Sequence, residues 1–259
     1  MATLANEMSI KSGRSRANPG STLALTAPFE WIGQGLADFR RIPGLSLLYG
    51  LLFAGLCAGI FYLTRNVPWY TVAYITGLAF VGPFLAAGLY AASRDMGRGA
   101  APSISASLRL IGRRKTYLSL FALMLTLVMA AWVRLSALIL AVAYNGLVPG
   151  IDLFDIAWLS GEGLVAAGYL ATTGVLLGSV VFANSALAIP RILDRDADFI
   201  SAMGYSFNRV KENLPAMVIW AALITLLTAV GLATGFVGLT VIFPVLGYAT
   251  WHSYRALTD

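Results

Sequence analysis

Charged residues are scarce in this chain of 259 residues. Only 12% of the positions are Asp, Glu, Lys or Arg, whereas an average soluble domain has about 25%. A water-soluble enzyme of this length needs more charge to cover its surface, so that class is excluded. Apolar residue types instead make up 58% of the sequence, and the mean hydropathy is +0.77. This composition is typical of an α-helical membrane protein with several spans.

Cysteine and histidine are almost missing as well. The single cysteine, Cys57, excludes a disulfide framework and a cysteine-bound metal cluster. The single histidine, His252, excludes bis-histidine haem ligation and a histidine-rich metal site within the chain. The sequence has no phosphate-binding loop, nucleophile elbow or dinucleotide fingerprint. We therefore expect no cofactor, no metal and no catalytic residue, and a protein that is not an enzyme.

Long apolar runs are what the sequence does have. Crossing a bilayer takes about 20 residues in a helix, and six runs reach that length. They occupy residues 43–64, 69–93, 117–144, 163–189, 214–232 and 236–254. The sequence therefore predicts an all-α polytopic membrane protein with six transmembrane helices arranged as three hairpins.

Basic residues are divided unevenly between the two sides of these runs. Of the 18 Lys and Arg residues, 16 flank one side, the opposite side has Arg65 alone, and Arg134 lies inside the third run. Loops rich in Lys and Arg stay in the cytoplasm. We expect a bacterial inner-membrane protein with both termini cytoplasmic, and this placement explains the net charge of +6 without a nucleic-acid partner.

Short amphipathic segments precede the first span of each hairpin. Apolar residues recur every three or four positions in 28–40, 103–112 and 198–211, a spacing that indicates helices lying in the cytoplasmic interface. Pro83, Asn184 and Pro244 each stand 11 residues before an arginine in the returning spans. These patterns predict an internal threefold repeat, about 28–95, 102–195 and 196–257, in a single membrane domain of residues 26–259. Residues 1–25 are polar and predict a disordered cytoplasmic tail rather than a signal peptide.

Four groups of short motifs, in order along the chain, carry a resemblance to a known family. They are FRRIP at 39–43 with LLYG at 47–50; GPFL at 82–85, GLY at 88–90 and Ser93-Arg94; Pro190, DRDAD at 194–198 and Glu212-Asn213; and PVLG at 244–247, ATWH at 249–252 and Tyr254-Arg255. From about residue 28 to 257 the chain resembles a family of bacterial integral membrane proteins, the domain of unknown function 2189. Some members are labelled as cytochrome c oxidase subunits, and the family implies no defined catalytic residues.

Arg134 is the sharpest single candidate, because a charge inside a span costs about 2.5–3.5 kcal/mol by insertion scales. One interpretation is that it reaches the outer interface and pairs with Asp152, Asp155 or Glu162. The other is a site for an anion or a lipid headgroup. Lipid, anion or partner contacts are further expected at the interfacial residues Arg40, Arg41, Arg113 and Arg114.

Small residues and helix-end acids complete the candidates. Three Gly-x-x-x-Gly pairs predict close helix packing, within the chain or between chains: Gly55/Gly59, Gly174/Gly178 and Gly231/Gly235. Asp194, Asp196 and Asp198 predict helix capping and pairing with Arg191 and Arg195. Lone His252 predicts an interface residue hydrogen-bonded to a neighbour.

Two functional classes remain open. The six runs contain no acidic residue, which weakens a proton-coupled transporter and favours a non-catalytic accessory or assembly subunit of an energy-transducing complex, respiratory or photosynthetic. Its partners would be membrane lipids and other integral membrane subunits. The alternative is a transporter or channel for a small molecule or a lipid, which prolines inside the spans, Pro83 and Pro244, favour.

Overall fold

The computed structural model describes residues 23–143 and 161–258, and in these residues the chain is helical, with eleven helices and no strand. In chain order they are α1 (Ala27–Arg41), α2 (Pro43–Thr64), α3 (Pro68–Leu85), α4 (Ala87–Gly97), α5 (Ile104–Arg113), α6 (Lys115–Ala143), α7 (Glu162–Ser185), α8 (Ala188–Arg195), α9 (Phe199–Glu212), α10 (Leu214–Ala233) and α11 (Leu239–Thr258). The predicted all-α class is confirmed. The predicted tail falls on residues outside this description, except for its last three positions.

Local sequence explains where the helices begin. Pro28, Pro43 and Pro215 lie in the first turn of α1, α2 and α10, where a missing N–H costs nothing. Side chains cap two of the short helices: the Ser103 hydroxyl accepts a hydrogen bond from the N–H of Ala106 at 3.1 Å, and Asp198 accepts one from the N–H of Ser201 at 2.9 Å. The three short amphipathic helices are therefore present as α1, α5 and α9.

Five helical segments in the described part of the chain are long and apolar enough to cross a membrane. They are Pro43–Thr64, Tyr70–Gly97, Lys115–Ala143, Gly163–Arg195 and Leu214–Ala233. The sixth expected span corresponds to α11, which is not among them, so the six-span arrangement is not confirmed. The α11 sequence includes Thr250, His252 and Ser253 and has a lower share of apolar residues than the other five.

The segments also extend further than the sequence predicted. Tyr70–Gly97 and Gly163–Arg195 pass the expected ends at residues 93 and 189. They therefore include Asp95 and Asp194 in their last turns. The two acids lie in helical extensions beyond the predicted runs 69–93 and 163–189, and the runs themselves contain no acidic residue.

Breaks divide the two returning segments. Helix α3 gives way to α4 at Ala86, three residues after Pro83, and α7 gives way to α8 between Ser185 and Ala188. Proline removes a backbone hydrogen bond and crowds the preceding turn, whereas the first break lies after Pro83, so the proline alone does not account for it. Pro244 lies inside α11, which continues as one helix.

The short helices pack in a cyclic order. Helix α1 packs on α11, α5 on α4, and α9 on α7 and α8, so each contacts the returning segment of the preceding predicted repeat. A small residue lies at each crossing. A Cβ on Gly35 would lie 2.5 Å from the Val245 carbonyl oxygen, and the hydroxyls of Ser107 and Ser206 donate to the carbonyls of Gly88 and Ala183 at 3.3 Å and 2.8 Å. The threefold repeat itself stays a prediction.

Packing between the spans follows the same order only in part. Helix α3 packs along α6, and α11 packs along α2. Among the described residues, α7 and α10 form no comparable contact. The largest cluster of buried apolar residues lies where α1, α4, α8, α9 and the second half of α11 meet. The same region contains two buried carboxylates, Asp38 and Asp194, and for this reason we call it the polar end.

Candidate functional site

A buried carboxylate, Asp38, joins three helices at the polar end. One of its oxygens, Oδ2, accepts a hydrogen bond from the Ser93 hydroxyl of α4 at 2.6 Å and lies 2.8 Å from Nε2 of His252 on α11. The Asp38 side chain is 8% exposed and the His252 side chain 24%. One helical turn before His252, the Tyr248 hydroxyl lies 2.8 Å from the hydroxyl of Ser46 on α2. Helices α1, α2, α4 and α11 are thus linked through side-chain hydrogen bonds.

A second buried carboxylate, Asp194, lies on α8, which packs against α4 and α11. Its side chain is 4% exposed, and Nη2 of Arg98 lies 2.8 Å from Oδ1. Nε of Arg94 is 3.7 Å from the same oxygen, and Nε of Arg195 is 3.5 Å from Oδ2. The Tyr254 hydroxyl donates to Oδ2 at 3.1 Å. A carboxylate buried this deeply needs such partners, because desolvating an unpaired charge costs several kcal/mol.

Side chains that bind Asp38 and side chains that bind Asp194 come from the same stretches of α4 and α11. Ser93 and Arg94 are neighbours on α4, and His252 and Tyr254 lie on the same stretch of α11. Ser93, Asp194 and Tyr254 each stand ten residues after the aligned positions Pro83, Asn184 and Pro244. Of these three residues at the same position of the predicted repeats, two, Asp194 and Tyr254, are hydrogen-bonded to each other.

Further arginines surround these carboxylates. Arg114 forms an ion pair with Asp196, and the guanidinium of Arg191 lies 3.8 Å from the centre of the Tyr205 ring. Asp198 caps α9. The expected roles of the three aspartates are thus observed for capping by Asp198 and for pairing of Asp194 with Arg195, whereas Arg191 stacks on an aromatic ring instead.

The geometry at Asp38 differs from that of a catalytic triad. In such a triad the histidine lies between the carboxylate and the serine, whereas here the Ser93 hydroxyl and His252 both bind the carboxylate. Ser93 is also only 2% exposed, so a substrate does not reach its hydroxyl. Within the described residues, no three or more His, Cys, Asp or Glu side chains are grouped so that they could hold a metal ion. The arrangement joins α1, α4 and α11 through the Asp38 carboxylate.

The candidate arginines lie elsewhere. Arg134 is exposed on α6, and Asp152 and Asp155, two of its three expected partners, fall outside the described residues. Arg40, Arg41 and Arg113 are exposed on α1 and α5. The fifth expected contact, Arg114, is half-buried and engaged by Asp196. Of the five arginines predicted as contacts, Arg114 is therefore the one that lies at the polar end.

The three glycine pairs lie in three different environments. Gly174 and Gly178 face the Trp132 and Phe80 rings, so that pair packs within the chain. Gly231 packs against Leu239, and Gly235, with φ +64°, belongs to the turn between α10 and α11. Gly55 and Gly59 point into open space on the outer face of α2. The last pair is the one that an outside helix can reach.

Sequence reasoning did not single out Asp38, and it named Ser93 only as part of a family motif. The apolar spacing within 28–40 follows Phe29, Ile32, Leu36 and Phe39. The buried face of α1 instead holds Trp31, Gly35 and Asp38. The signal was available, because these three residues also recur at intervals of four and three. His252 is hydrogen-bonded as expected, but its partner is 214 residues away in the chain, where local reasoning does not reach.

Comparison with known proteins finds a family match in the middle of the chain. No curated protein and no solved structure matches the chain. Of the four groups of motifs, the second lies wholly inside the matched segment and the third in part, whereas the first and the fourth lie outside it. The resemblance is confirmed for residues 71–194, which match the model of the family described as predicted integral membrane protein (DUF2189).

Proposed function

We propose that this integral membrane protein is a non-catalytic accessory or assembly subunit of a bacterial inner-membrane energy-transducing complex, respiratory or photosynthetic. The observation that carries the proposal is the exposure of its spans. In the most apolar window of each of the five candidate spans, between 11% and 39% of the residues are buried within the protein. The remaining surface is available to lipid or to another membrane protein.

Helix α2 offers the most suitable surface for a partner helix. Gly55 and Gly59 leave open space on its outer face, and the neighbouring Leu52 and Leu56 are 63% and 43% exposed. Small residues four apart allow a second helix to approach closely, which is how membrane helices associate without a hydrophobic driving force. An accessory subunit needs such a face, and lipid fills the rest of the seam.

The short helices support placement at a membrane surface. Phe29, Leu108 and Phe207 are 57%, 58% and 47% exposed, although the helices that carry them are packed on the protein through other faces. Large apolar side chains left outside the core suit the interface between headgroups and acyl chains. We propose that α11 is the sixth span, with both termini cytoplasmic. Reporter fusions should then be periplasmic at Val67 and Val148 and cytoplasmic at Gly99 and Ala202; a cytoplasmic signal at Val148 would overturn this topology.

A transporter or channel is the second candidate, and the broken returning segments favour it. Transporters bind substrates where spans are interrupted near the middle of the bilayer. Here the breaks lie at Ala86 and between Ser185 and Ala188, close to the polar end, and the carboxylates beside them are bonded to the protein's own side chains. This satisfied arrangement favours a structural role and a protein without turnover of its own.

Two measurements separate these functions. Purification from native membranes in a mild detergent should yield the subunit together with integral membrane partners. In a deletion strain, the proposal expects impaired integrity of a respiratory or photosynthetic complex with unchanged solute uptake. Collapse of uptake of a defined solute while those complexes stay intact and active would replace the proposal with the transporter.

A further inference from the structure

The outer faces of α1 and α9 carry the same order of side chains. Each helix presents a large apolar residue, a glycine, a second large apolar residue and a cation: Phe29, Gly33, Leu36 and Arg40 on α1, and Ile200, Gly204, Phe207 and Lys211 on α9. Residues three and four positions apart lie on one face of a helix, so each set forms a continuous line. Leu36 is half-buried and the other members of both lines are exposed. The protein core therefore leaves the two lines uncovered.

The glycine in each line leaves a notch between two apolar side chains. A Cβ on Gly33 or on Gly204 would meet nothing within 4 Å. The apolar residues one turn before them, Phe29 and Ile200, are 57% and 77% exposed. Exposed apolar side chains of this kind on a short amphipathic helix pack against lipid acyl chains, and the notch gives such a chain room to cross the helix.

The spans that follow fix the level of the two cations in the bilayer. Arg40 stands three residues before the start of α2, and Lys211 stands three residues before the start of α10. Both of these helices are long and apolar enough to cross a membrane. Three residues reach at most about 11 Å, and the polar layer on each side of the hydrocarbon core is about 5–8 Å thick. The two cations therefore lie at the level of the lipid phosphates.

Neither cation is neutralised by a neighbouring side chain. Arg40 and Lys211 are exposed and form no ion pair with another described residue. The acids close to them in sequence are engaged elsewhere, because Asp38 lies on the buried face of α1 and Glu212 pairs with Arg209 at 2.9 Å. Each line thus ends in a free positive charge that complements an anionic headgroup.

We propose that α1 and α9 each bind one anionic phospholipid, with its phosphate at Arg40 or Lys211 and an acyl chain across the glycine of the same line. Basic residues beside a membrane attract anionic headgroups, and the apolar side chains hold the lipid tail. Helix α5 has no such site, because Gly112 stands three residues before α6, where the other two helices have their cation. The two sites are independent of the proposed subunit role, because they require no partner protein.

The first test measures the lipid that the purified full-length protein retains. Native mass spectrometry in detergent is carried out with added phosphatidylglycerol or, separately, phosphatidylcholine. The wild-type protein should retain two molecules of phosphatidylglycerol in preference to phosphatidylcholine. Arg40→Gln and Lys211→Gln should each weaken one of the two binding steps about fivefold. The matched control, Arg109→Gln, removes an exposed cation from α5 and should change neither step by more than about twofold. No preference for phosphatidylglycerol, or an equal loss in the control, overturns the proposal.

A second set of variants tests the acyl chain separately from the headgroup. Gly33→Trp and Gly204→Trp fill the notches and should each displace one lipid. Gly112→Trp places the same side chain at an exposed glycine of α5 that also has open space around it, and it should displace none. Every variant must elute as a single species with wild-type helicity, and each set remains informative when a variant of the other fails to fold. Retention of both lipids by Gly33→Trp and Gly204→Trp, or an equal loss in Gly112→Trp, overturns the binding of the chain at the glycines.

Discussion

The polar end and the apolar spans are built by different rules. At the polar end, side chains are buried and hydrogen-bonded across helices, as at Asp38 and Asp194. In the spans, long apolar side chains remain outside, as at Leu63 and Val142, which are 82% and 71% exposed. A water-soluble protein shows the reverse distribution. The difference shows that lipid surrounds the spans where a soluble protein would have its core. Hydrogen bonds between side chains of different helices are found at the polar end instead.

Helices α10 and α11 show the contrast within one hairpin of two 20-residue helices. Helix α10 has the highest mean hydropathy of the candidate spans, 2.3, and 22% of its apolar window is buried. Helix α11 includes Tyr248, Thr250 and Ser253, all buried, and packs on α1, α2 and α4. Hydropathy therefore identifies the helix that faces lipid and undervalues the helix that the others surround.

The strongest way to break the polar end is to remove its second carboxylate. Asp194→Ala removes the acceptor shared by Arg94, Arg98 and Arg195. Arg98 and Arg195 are 54% and 57% exposed and regain water, whereas Arg94 is 16% exposed. We expect a loss of about 1.5–3 kcal/mol, the range for hydrogen bonds to charged groups, measured as a drop in the melting temperature of the detergent-solubilised protein. Glu212→Gln is the control, because Glu212 pairs with Arg209 at 2.9 Å on the surface and such pairs contribute about 0–1 kcal/mol. Equal melting of both variants would contradict a structural role for Asp194.

Helix α2 carries one glycine in a tight contact, Gly50, and one on an open surface, Gly55. A Cβ on Gly50 would collide with the backbone of Thr240 on α11, whereas a Cβ on Gly55 meets nothing within 4 Å. Gly50→Ala should destabilise the protein by about 1–3 kcal/mol, the usual cost of overpacking. Gly55→Ala should be neutral or stabilise α2 by up to about 1 kcal/mol. Thermal unfolding of the two variants checks both values, and destabilisation by Gly55→Ala would show that its face is occupied.

The hydrogen bond between Ser93 and Asp38 gives a smaller effect. Ser93→Ala removes a donor to a buried carboxylate, and we expect a loss of about 1.5 kcal/mol, the lower range for bonds to charged groups. Ser179→Ala is the matched control, since that hydroxyl is exposed on α7 and donates to the Val175 carbonyl of its own helix. If the two variants unfold alike, the Asp38 cluster does not hold α1 to α4.

Sequence reasoning succeeded where a single helix decides the answer. Apolar length located the five candidate spans, proline and capping residues located the short helices, and the lone Arg134 was placed on α6. It failed where two distant segments meet. The partner of His252 lies on α1, and the α11 surface that receives Gly35 is formed by backbone that no hydropathy pattern describes. The buried face of α1 differs from its apolar face, because small and polar residues pack inward while Phe29 remains outside.

The smallest expected effect concerns the N-terminal caps of α5 and α9, which are different residues. The Ser201 hydroxyl and backbone N–H bind the Asp198 carboxylate and lower the pKa of Asp198 below its usual value. Because the pKa is depressed in the folded protein, the cap contributes stability above the ordinary value of about 3.9 and loses it as the pH falls through the folded value. Ser103, which caps α5, does not titrate in this range.

Acid should therefore loosen the start of α9 and leave the start of α5 unchanged. Spin labels at Ile200 and Ile104, both exposed, report this difference as increased mobility at Ile200 alone when the pH is lowered from about 5 to below the usual carboxyl pKa of about 3.9. Asp198→Asn keeps an effective cap without an ionisable group, so its Ile200 label should not respond to acid. An equal acid response in Asp198→Asn, or equal loosening at both labels, would mean that the whole polar end opens and that its stability does not depend on this cap.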